Sequence, residues 1–153
     1  MLSLTSEHAL RALADLARQG AEKTTLARDL AERADVPSHY LSKILATLRR
    51  AGMLTATRGV RGGYSLTRDP AHIFLIEVVR LFDGESAHPQ CLFGQGRQCS
   101  DAEPCHAHEA WKKVKQAFES FLQEQTIATI AGLDAATVGG EKGRDRTAPD
   151  AAR

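Results

Sequence analysis

Three successive helical patterns followed by two short strand patterns constrain the fold of this chain more than any other feature of its sequence. Leucine and alanine recur with helical spacing between residues 7 and 18, and Gly20 is well placed to end that first helix. Thr24 or Thr25 is predicted to cap a second helix, because a threonine hydroxyl accepts hydrogen bonds from the free amides of a first turn. The chain is therefore expected to begin with packed helices.

A third helix is predicted from Pro37 and Ser38 to Gly52, since proline suits a first turn, serine a cap and glycine a C-terminal stop. Its apolar residues share one face, and they are Leu41, Ile44, Leu45 and Leu48. The opposite face carries His39, Ser42, Lys43, Ala46, Thr47 and Arg50. One face of this helix therefore packs on a core, and the other looks outward.

The segments MLTAT and GYSLT have the composition of strands, and the turn RGVRGG between them has the glycines of a hairpin. Two helices, a third helix with an open face and a hairpin are typical of a winged helix-turn-helix. In that fold, the third helix enters a groove of DNA. The N-terminal part of the chain is therefore predicted to bind duplex DNA.

Helical patterns continue after the hairpin. The apolar segment Ile73 to Phe82 predicts a helix that ends at Gly84. A long helix is predicted from about Pro104 to Thr126, with a stripe close to the 3.5-residue repeat of helices that pair with each other. The residues of that stripe are Trp111, Val114, Phe118, Phe121 and Leu122. A short helix is predicted in the segment TIATIAGL that follows.

The predicted fold is mainly α with a small β-hairpin, consisting of a winged helix-turn-helix DNA-binding domain and a long C-terminal dimerisation helix. The predicted segments are the DNA-binding domain at 1–83, a cysteine-rich loop at 84–105, dimerisation helices at 106–133 and a disordered tail at 134–153. The tail is predicted to be disordered because it is rich in glycine, alanine and charge and lacks periodicity.

The near-neutral net charge of +1 conceals a local excess of cations. Between Asp35 and Asp69 the sequence has no acidic residue. The basic residues of that interval are Lys43, Arg49, Arg50, Arg58, Arg61 and Arg68. Cations on the outer face of the third helix and on the hairpin suit phosphate binding, since release of condensed counterions drives association with DNA.

The candidate DNA-binding residues lie on these two elements. Those on the third helix are Ser38, His39, Tyr40, Ser42, Lys43 and Arg50, and those at the hairpin tip are Arg58, Gly59 and Arg61. Residues in the first turns of the third helix are placed to reach base edges, and the hairpin arginines to grip phosphate or enter the minor groove. For Tyr40, burial of the ring in the core is the alternative.

All three cysteines fall in one loop, with the spacing C-x7-C-x5-C-x2-H from Cys91 through Cys99 and Cys105 to His108. Three thiols and an imidazole form a set of four ligands for a metal centre. Pro104 is predicted to open the long helix, which would place Cys105 at its positive end and His108 on the same face. Structural zinc in a Cys3His site and three plainly buried cysteines remain alternatives to an iron–sulfur cluster.

Other classes of protein fit less well. No apolar run approaches the roughly 20 residues that a membrane span requires, and Met1 is not followed by a signal-peptide pattern, so a cytoplasmic protein is expected. We find no nucleophile–base pairing, phosphate loop or paired carboxylates, so neither an enzyme nor a small-molecule substrate is expected.

Several segments together resemble a known family. LSLTSEHALRAL, DVPSHYLSKILATLRRAGML, RGVRGGYSLTRDP, IEVVRLFDG and the cysteine spacing followed by H-x-x-W closely resemble the regulators IscR, NsrR and RirA. These are winged-helix homodimeric transcription factors, and the likeness covers residues 1 to about 133. The resemblance implies double-stranded promoter DNA and a second copy of the chain as partners.

The resemblance also implies an iron–sulfur cluster whose state decides which promoters are bound. Cys91, Cys99 and Cys105 match the family's ligands. IscR-like members add a histidine that matches His108, whereas other members add a carboxylate from the partner's N-terminal region that matches Glu7. A 2Fe-2S cluster is favoured, with 4Fe-4S as the alternative, and the long gap between the first two cysteines resembles RirA.

Rival functions are a cluster-free or zinc-binding regulator of the same fold that uses its thiols as switches, and a small iron–sulfur electron carrier or assembly factor. The helix-turn-helix pattern argues against the carrier. The sequence therefore predicts a homodimeric transcription factor that senses iron–sulfur or iron status, or oxidative or nitrosative stress.

Overall fold

The computed structural model describes residues 2–20, 23–59, 62–84, 101–102 and 104–133, and within them the chain forms six α-helices and a two-stranded sheet. The elements are α1 Leu4–Gln19, α2 Ala27–Ala34, α3 Ser38–Arg50, β1 Leu54–Thr57, β2 Gly63–Leu66, α4 Leu75–Asp83, α5 His108–Glu124 and α6 Ile127–Ala131. A 3₁₀ turn, Pro70–His72, precedes α4. The predicted fold class, mainly α with a small hairpin, is confirmed.

Helix α1 is the centre of the molecule, since α2, α3, α4 and α6 all pack against it. The side chain of Ser3 caps it by accepting a hydrogen bond from the amide of Ser6, and Gly20 ends it with a φ of +101°. The apolar face predicted for the third helix is buried, because Leu41, Ile44, Leu45 and Leu48 each expose at most 2% of their surface. Burial of such side chains is the main source of stability in a core of this kind.

The start of α2 is fixed by the hairpin rather than by a side-chain cap. The amide of Thr25 donates to the carbonyl of Tyr64 (2.9 Å), and the amide of Tyr64 donates back (2.8 Å). Helix α2 begins after Leu26 with no side chain capping it, so the predicted threonine cap is wrong. A glycine is required at Gly63, where φ is +149° and a Cβ would lie 2.3 Å from the Thr25 carbonyl oxygen.

The hairpin has the predicted strands in an antiparallel register, with Leu54 opposite Leu66 and Thr57 opposite Gly63. Helix α3 also ends as predicted, near Gly52, although Pro37 takes the cap position and Ser38 is its first helical residue. This order reverses the predicted roles of the two residues. The described residues thus contain the three helices and two strands of the winged helix-turn-helix; residues 21–22 and 60–61 lie outside the described part of the chain.

The C-terminal helices return to the N-terminal domain. Arg18 of α1 donates to the carbonyls of Ala131 (3.2 Å) and Ile130 (3.3 Å) at the end of α6. Helix α5 begins at His108, four residues later than predicted from Pro104, so Cys105 precedes the helix and does not share its face with His108. In its 17 residues α5 fully buries only His108 and Leu122. Phe118 packs against the core while only partly buried, and Val114 and Phe121 are exposed.

Several predicted features lie outside the described residues: Cys91, Cys99, Arg61 and the segment 134–153. The predicted division into four segments stays a prediction. Among the described helices, none has the length and apolar character needed to span a bilayer.

Candidate DNA interface and cysteine site

The outer face of α3 is exposed along its length, as the sequence predicts. Ser42 donates its hydroxyl to the Ser38 carbonyl (2.9 Å), and Thr47 donates to the Lys43 carbonyl (3.1 Å). These hydroxyls are therefore partly used within the helix. His39 and Lys43, one turn apart on the same helix, are exposed.

The exposed cations of α3 and of the hairpin tip are here called the basic face, which we define by Lys43, Arg49, Arg50 and Arg58. None of the four takes part in an ion pair within the residues that the structure describes. Arg68, by contrast, forms a salt bridge with Glu77 of α4. The basic face is therefore an uncompensated patch of positive charge on a winged helix, and such a patch suits phosphate groups.

At the hairpin tip, Arg58 and Gly59 are exposed, and Gly59 has a φ of +109°. Such a φ is strained for other residues, which explains a glycine at this corner. Arg61, the other predicted tip residue, lies outside the described part of the chain.

Tyr40 differs from the other predicted DNA-binding residues because its side chain is half-buried against the core. Its hydroxyl lies 2.7 Å from the hydroxyl of Thr5 in α1. Its ring also meets the ring of His8 edge-on, with 5.4 Å between centroids and 83° between planes. The hydroxyl of Tyr40 thus contacts α1 and its ring packs against the core. This arrangement agrees more closely with the alternative in which the ring of Tyr40 is buried.

Of the four residues in the predicted cysteine and histidine set, the structure describes Cys105 and His108. The amide of His108 donates to the carbonyl of Cys105 (2.9 Å), which closes a turn immediately before α5. Cys105 is half-buried, and the side chain of His108 is 6% exposed. Glu7, the alternative fourth ligand, is exposed in the first turn of α1.

Asp101 contacts His108, and sequence reasoning does not identify it. The Nε2 of His108 lies 2.7 Å from an Asp101 carboxylate oxygen, and Lys112 donates to the same oxygen (2.9 Å). The hydrogen bond from Lys112, followed by that from His108, lowers the pKa of Asp101 to about 2. Asp101 is therefore ionised at neutral pH. Nothing in the loop sequence QCSDAEPC marks this carboxylate as the one that reaches His108.

The donor set fits an iron–sulfur cluster. Thiolates hold such clusters, and an imidazole replaces a thiolate at some of them. Cys105 and His108 lie within one turn that a backbone hydrogen bond closes, so two of the residues predicted to be ligands are neighbours in the structure. The ligand atoms of Asp101, His108 and Glu109 lie within 4.8 Å of one another. This group has two exposed carboxylates and no thiol, so it does not by itself match the ligands of an iron–sulfur cluster.

The end of α4, one residue before the segment that carries Cys91, is bonded to the start of α1. The amide of Ser3 donates to the carboxylate of Asp83 (3.1 Å), and the Ser3 hydroxyl donates to the other carboxylate oxygen. Burial alone would raise the pKa of Asp83, but the hydrogen bonds from Ser3 outweigh it, so the pKa lies below the usual value. The ionised carboxylate thus ties the two elements together at neutral pH.

The exposed side of α5 carries the predicted apolar stripe. Val114 is 51% exposed and Phe121 is 48% exposed, one on each side of the half-buried Phe118. Trp111, one turn before Val114, is also half-buried. Solvent-exposed aromatic and aliphatic residues in one row on a helix are typical of a surface that another helix covers.

The family model and the related proteins that match this chain are all described as transcriptional regulators. The Rrf2 family model, described as an iron-dependent transcriptional regulator, matches residues 2–132. The chain is 36% identical over 129 residues to a protein of Synechocystis sp. described as an HTH-type transcriptional regulator, covering 84% of this chain and 86% of that protein. It is 32% identical over 123 residues to the HTH-type transcriptional regulator IscR of Xenorhabdus nematophila, covering 79% of this chain and 74% of IscR.

The fold also matches solved structures. CymR, the global cysteine regulator of B. subtilis, superimposes with a TM-score of 0.71 at 24% identity, covering 86% of this chain and 96% of CymR. At that identity the likeness concerns the fold alone. It confirms the winged-helix architecture that the sequence predicts.

Proposed function

Since the chain belongs to the Rrf2 family of transcriptional regulators, whose model matches residues 2–132, we propose that it is a homodimer whose binding to duplex DNA depends on an iron–sulfur cluster. Proteins of this family are DNA-binding regulators rather than enzymes. The observation that carries the proposal is the pairing of a basic face on a winged helix with a turn that holds Cys105 and His108.

In this proposal α3 enters the major groove and the hairpin lies against the backbone. Lys43 and His39 project from α3 and reach base edges, while Arg58 contacts phosphate at the wing. The backbone pairing of Thr25 with Tyr64 holds the wing at a fixed place beside α2. Two such units in a dimer would read a site with dyad symmetry.

The cluster would be held by Cys91, Cys99 and Cys105, with His108 or the partner's copy of Glu7 as the fourth ligand. The bound cluster would supply redox and ligand-exchange chemistry that oxidant, nitric oxide or iron scarcity alters. His108 is buried, and Asp101 accepts a hydrogen bond from its ring, so its orientation is fixed by the protein. The IscR relative and the iron-dependent description of the family support a cluster of this kind.

The first test concerns the DNA interface. Lys43→Ala is expected to weaken binding to a dyad-symmetric fragment, selected by the unmodified protein from random duplexes, by about 5- to 150-fold, since a base contact contributes about 1–3 kcal/mol. Arg58→Ala is expected to lower the slope of log K against log salt by about 0.9 for each phosphate that the arginine neutralises. Fluorescence anisotropy over a salt series measures both effects.

Lys113→Ala is the matched control for these variants, because Lys113 is exposed on α5 away from the basic face. Unchanged affinity for both Lys43→Ala and Arg58→Ala would contradict this DNA interface.

The second test identifies the fourth ligand. Anaerobically purified protein is expected to be coloured, with iron and sulfide in comparable amounts, whereas colourless protein with stoichiometric zinc would contradict the proposal. His108→Ala and Glu7→Ala are then compared for visible absorption and for the half-life of the cluster in air. Loss of the true ligand is expected to shorten that half-life by at least about tenfold, the lower range for loss of an outer-shell partner.

The control is His106→Ala, since His106 is exposed and lies two residues before His108 in the sequence. If neither His108→Ala nor Glu7→Ala changes the spectrum or the half-life, the fourth ligand is a different residue and this assignment is wrong.

A further inference from the structure

A cavity of about 400 Å³ is lined by residues of α1, α2 and α6. This volume lies within the range of small-molecule sites, about 300–1,000 Å³. Its apolar lining residues are Leu10, Ala14, Ala34 and Ile130, and its charged ones are Arg11, Asp15, Arg18, Arg33 and Asp35. None of them belongs to the basic face or to the predicted cysteine and histidine set. Because arginines outnumber aspartates in this lining, the cavity carries a net positive charge.

Asp15 and Arg33 form an ion pair in the wall of this cavity. The Nε of Arg33 donates to both carboxylate oxygens of Asp15 (3.0 and 3.2 Å), and its Nη2 lies 2.9 Å from one of them. The side chain of Asp15 is only 10% exposed, so this carboxylate is used in full within the protein. It therefore neutralises Arg33 and leaves the charges of the other two arginines uncompensated.

Those two arginines, Arg11 and Arg18, precede and follow Asp15 on α1. Neither forms an ion pair with a carboxylate in the part of the chain that the structure describes. Arg18 is nevertheless held in place, because its Nε and Nη2 donate to the carbonyls of Ala131 and Ile130. The two arginines are seven residues apart, which puts them on one side of the helix and about 10 Å apart along its axis.

We propose that this cavity binds a small organic dicarboxylate, with one carboxylate on Arg11 and the other on Arg18. A guanidinium group presents a planar set of donors that matches a carboxylate. A four-carbon dicarboxylate, with a hydrogen bond of about 2.8 Å at each end, is long enough to join the two arginines. Its methylene groups then pack on Leu10, Ala14 and Ile130, a contact that inorganic phosphate does not offer. This inference does not rest on the proposed function, since it involves neither DNA nor a cluster.

The experiment is calorimetric titration of the full chain with succinate at low salt. Succinate is expected to bind with a Kd of about 1 mM or lower, as two charge-assisted contacts allow. Arg11→Gln removes one guanidinium group and is expected to weaken binding by about tenfold or more, which corresponds to about 1.4 kcal/mol. Monomethyl succinate, which lacks one carboxylate, is expected to lose a similar factor on the unmodified protein. That second measurement needs no substitution, so it does not depend on the folding of a variant.

Arg28→Gln is the matched control, because Arg28 is an exposed arginine of α2 that does not line the cavity. It is expected to keep the affinity for succinate within about twofold, the usual effect of a surface substitution. Absence of succinate binding at millimolar concentration, or equal weakening by Arg11→Gln and Arg28→Gln, would overturn the proposal. Inorganic phosphate or monomethyl succinate binding as tightly as succinate would indicate general attraction of anions and would overturn it as well.

Discussion

Replacement of Cys105 by serine is expected to leave a folded protein that no longer retains iron or sulfide. Serine has nearly the same shape, and the contact that Cys105 makes with His108 runs through its backbone carbonyl, so the turn before α5 should persist. The hydroxyl, however, is a much poorer ligand for iron than a thiolate. We expect retention to fall by about a hundredfold or more, because loss of even an outer partner of a metal ligand lowers affinity about 10- to 100-fold.

The measurement is iron and acid-labile sulfide per chain, with visible absorption, on protein prepared without oxygen. Far-ultraviolet circular dichroism confirms that the helices remain. His106→Ala, one residue further along and exposed, serves as the control and is expected to keep its cluster. Full iron and sulfide in Cys105→Ser would mean that the cluster is held elsewhere or that Cys105 is not a ligand.

The second large effect is expected on the exposed side of α5. In a dimer that covers this stripe, the double variant Val114→Glu and Phe121→Glu would bury four unpaired carboxylates across the two chains. Each of the two substitutions would also remove an apolar side chain that is about half exposed in the single chain and whose burial favours association. We therefore expect monomers at concentrations where the unmodified protein is dimeric.

A monomer presents one recognition helix instead of two, so specific DNA binding is expected to fall to the non-specific level, a loss of about 10³-fold or more. Light scattering after size-exclusion chromatography gives the mass, and anisotropy gives the affinity. Gln116→Glu adds one negative charge on the opposite side of α5 and controls for charge alone. A double variant that stays dimeric would show that the apolar stripe is not the dimer interface.

Local patterns in the sequence predict helix α3 well. The spacing of Leu41, Ile44, Leu45 and Leu48 fixes which face of α3 is buried, because residues three and four apart share a face. The opposite face, with His39 and Lys43, follows by elimination. The hairpin is equally predictable, since its glycines and the flanking strand residues are local signals.

Contacts between residues far apart in the chain are not predictable from such local patterns. The predicted cap of α2 is wrong because Thr25 is used in a backbone pair with the distant Tyr64, and no local pattern reveals that pair. The predicted start of α5 is too early because Pro104 resembles a first-turn proline, whereas the chain forms a turn from Cys105 to His108 first. The Tyr40–Thr5 and Asp101–His108 contacts depend in the same way on tertiary packing.

The central claim, that an iron–sulfur cluster controls how this protein binds DNA, is tested most directly by one titration. Cluster-loaded protein and the same preparation after cluster removal are titrated against the selected dyad-symmetric fragment at one fixed salt concentration, without oxygen. We expect dissociation constants that differ by about 5- to 150-fold, the usual range for coupling between two sites. Equal dissociation constants for the two forms, with both shown to be folded, would contradict it.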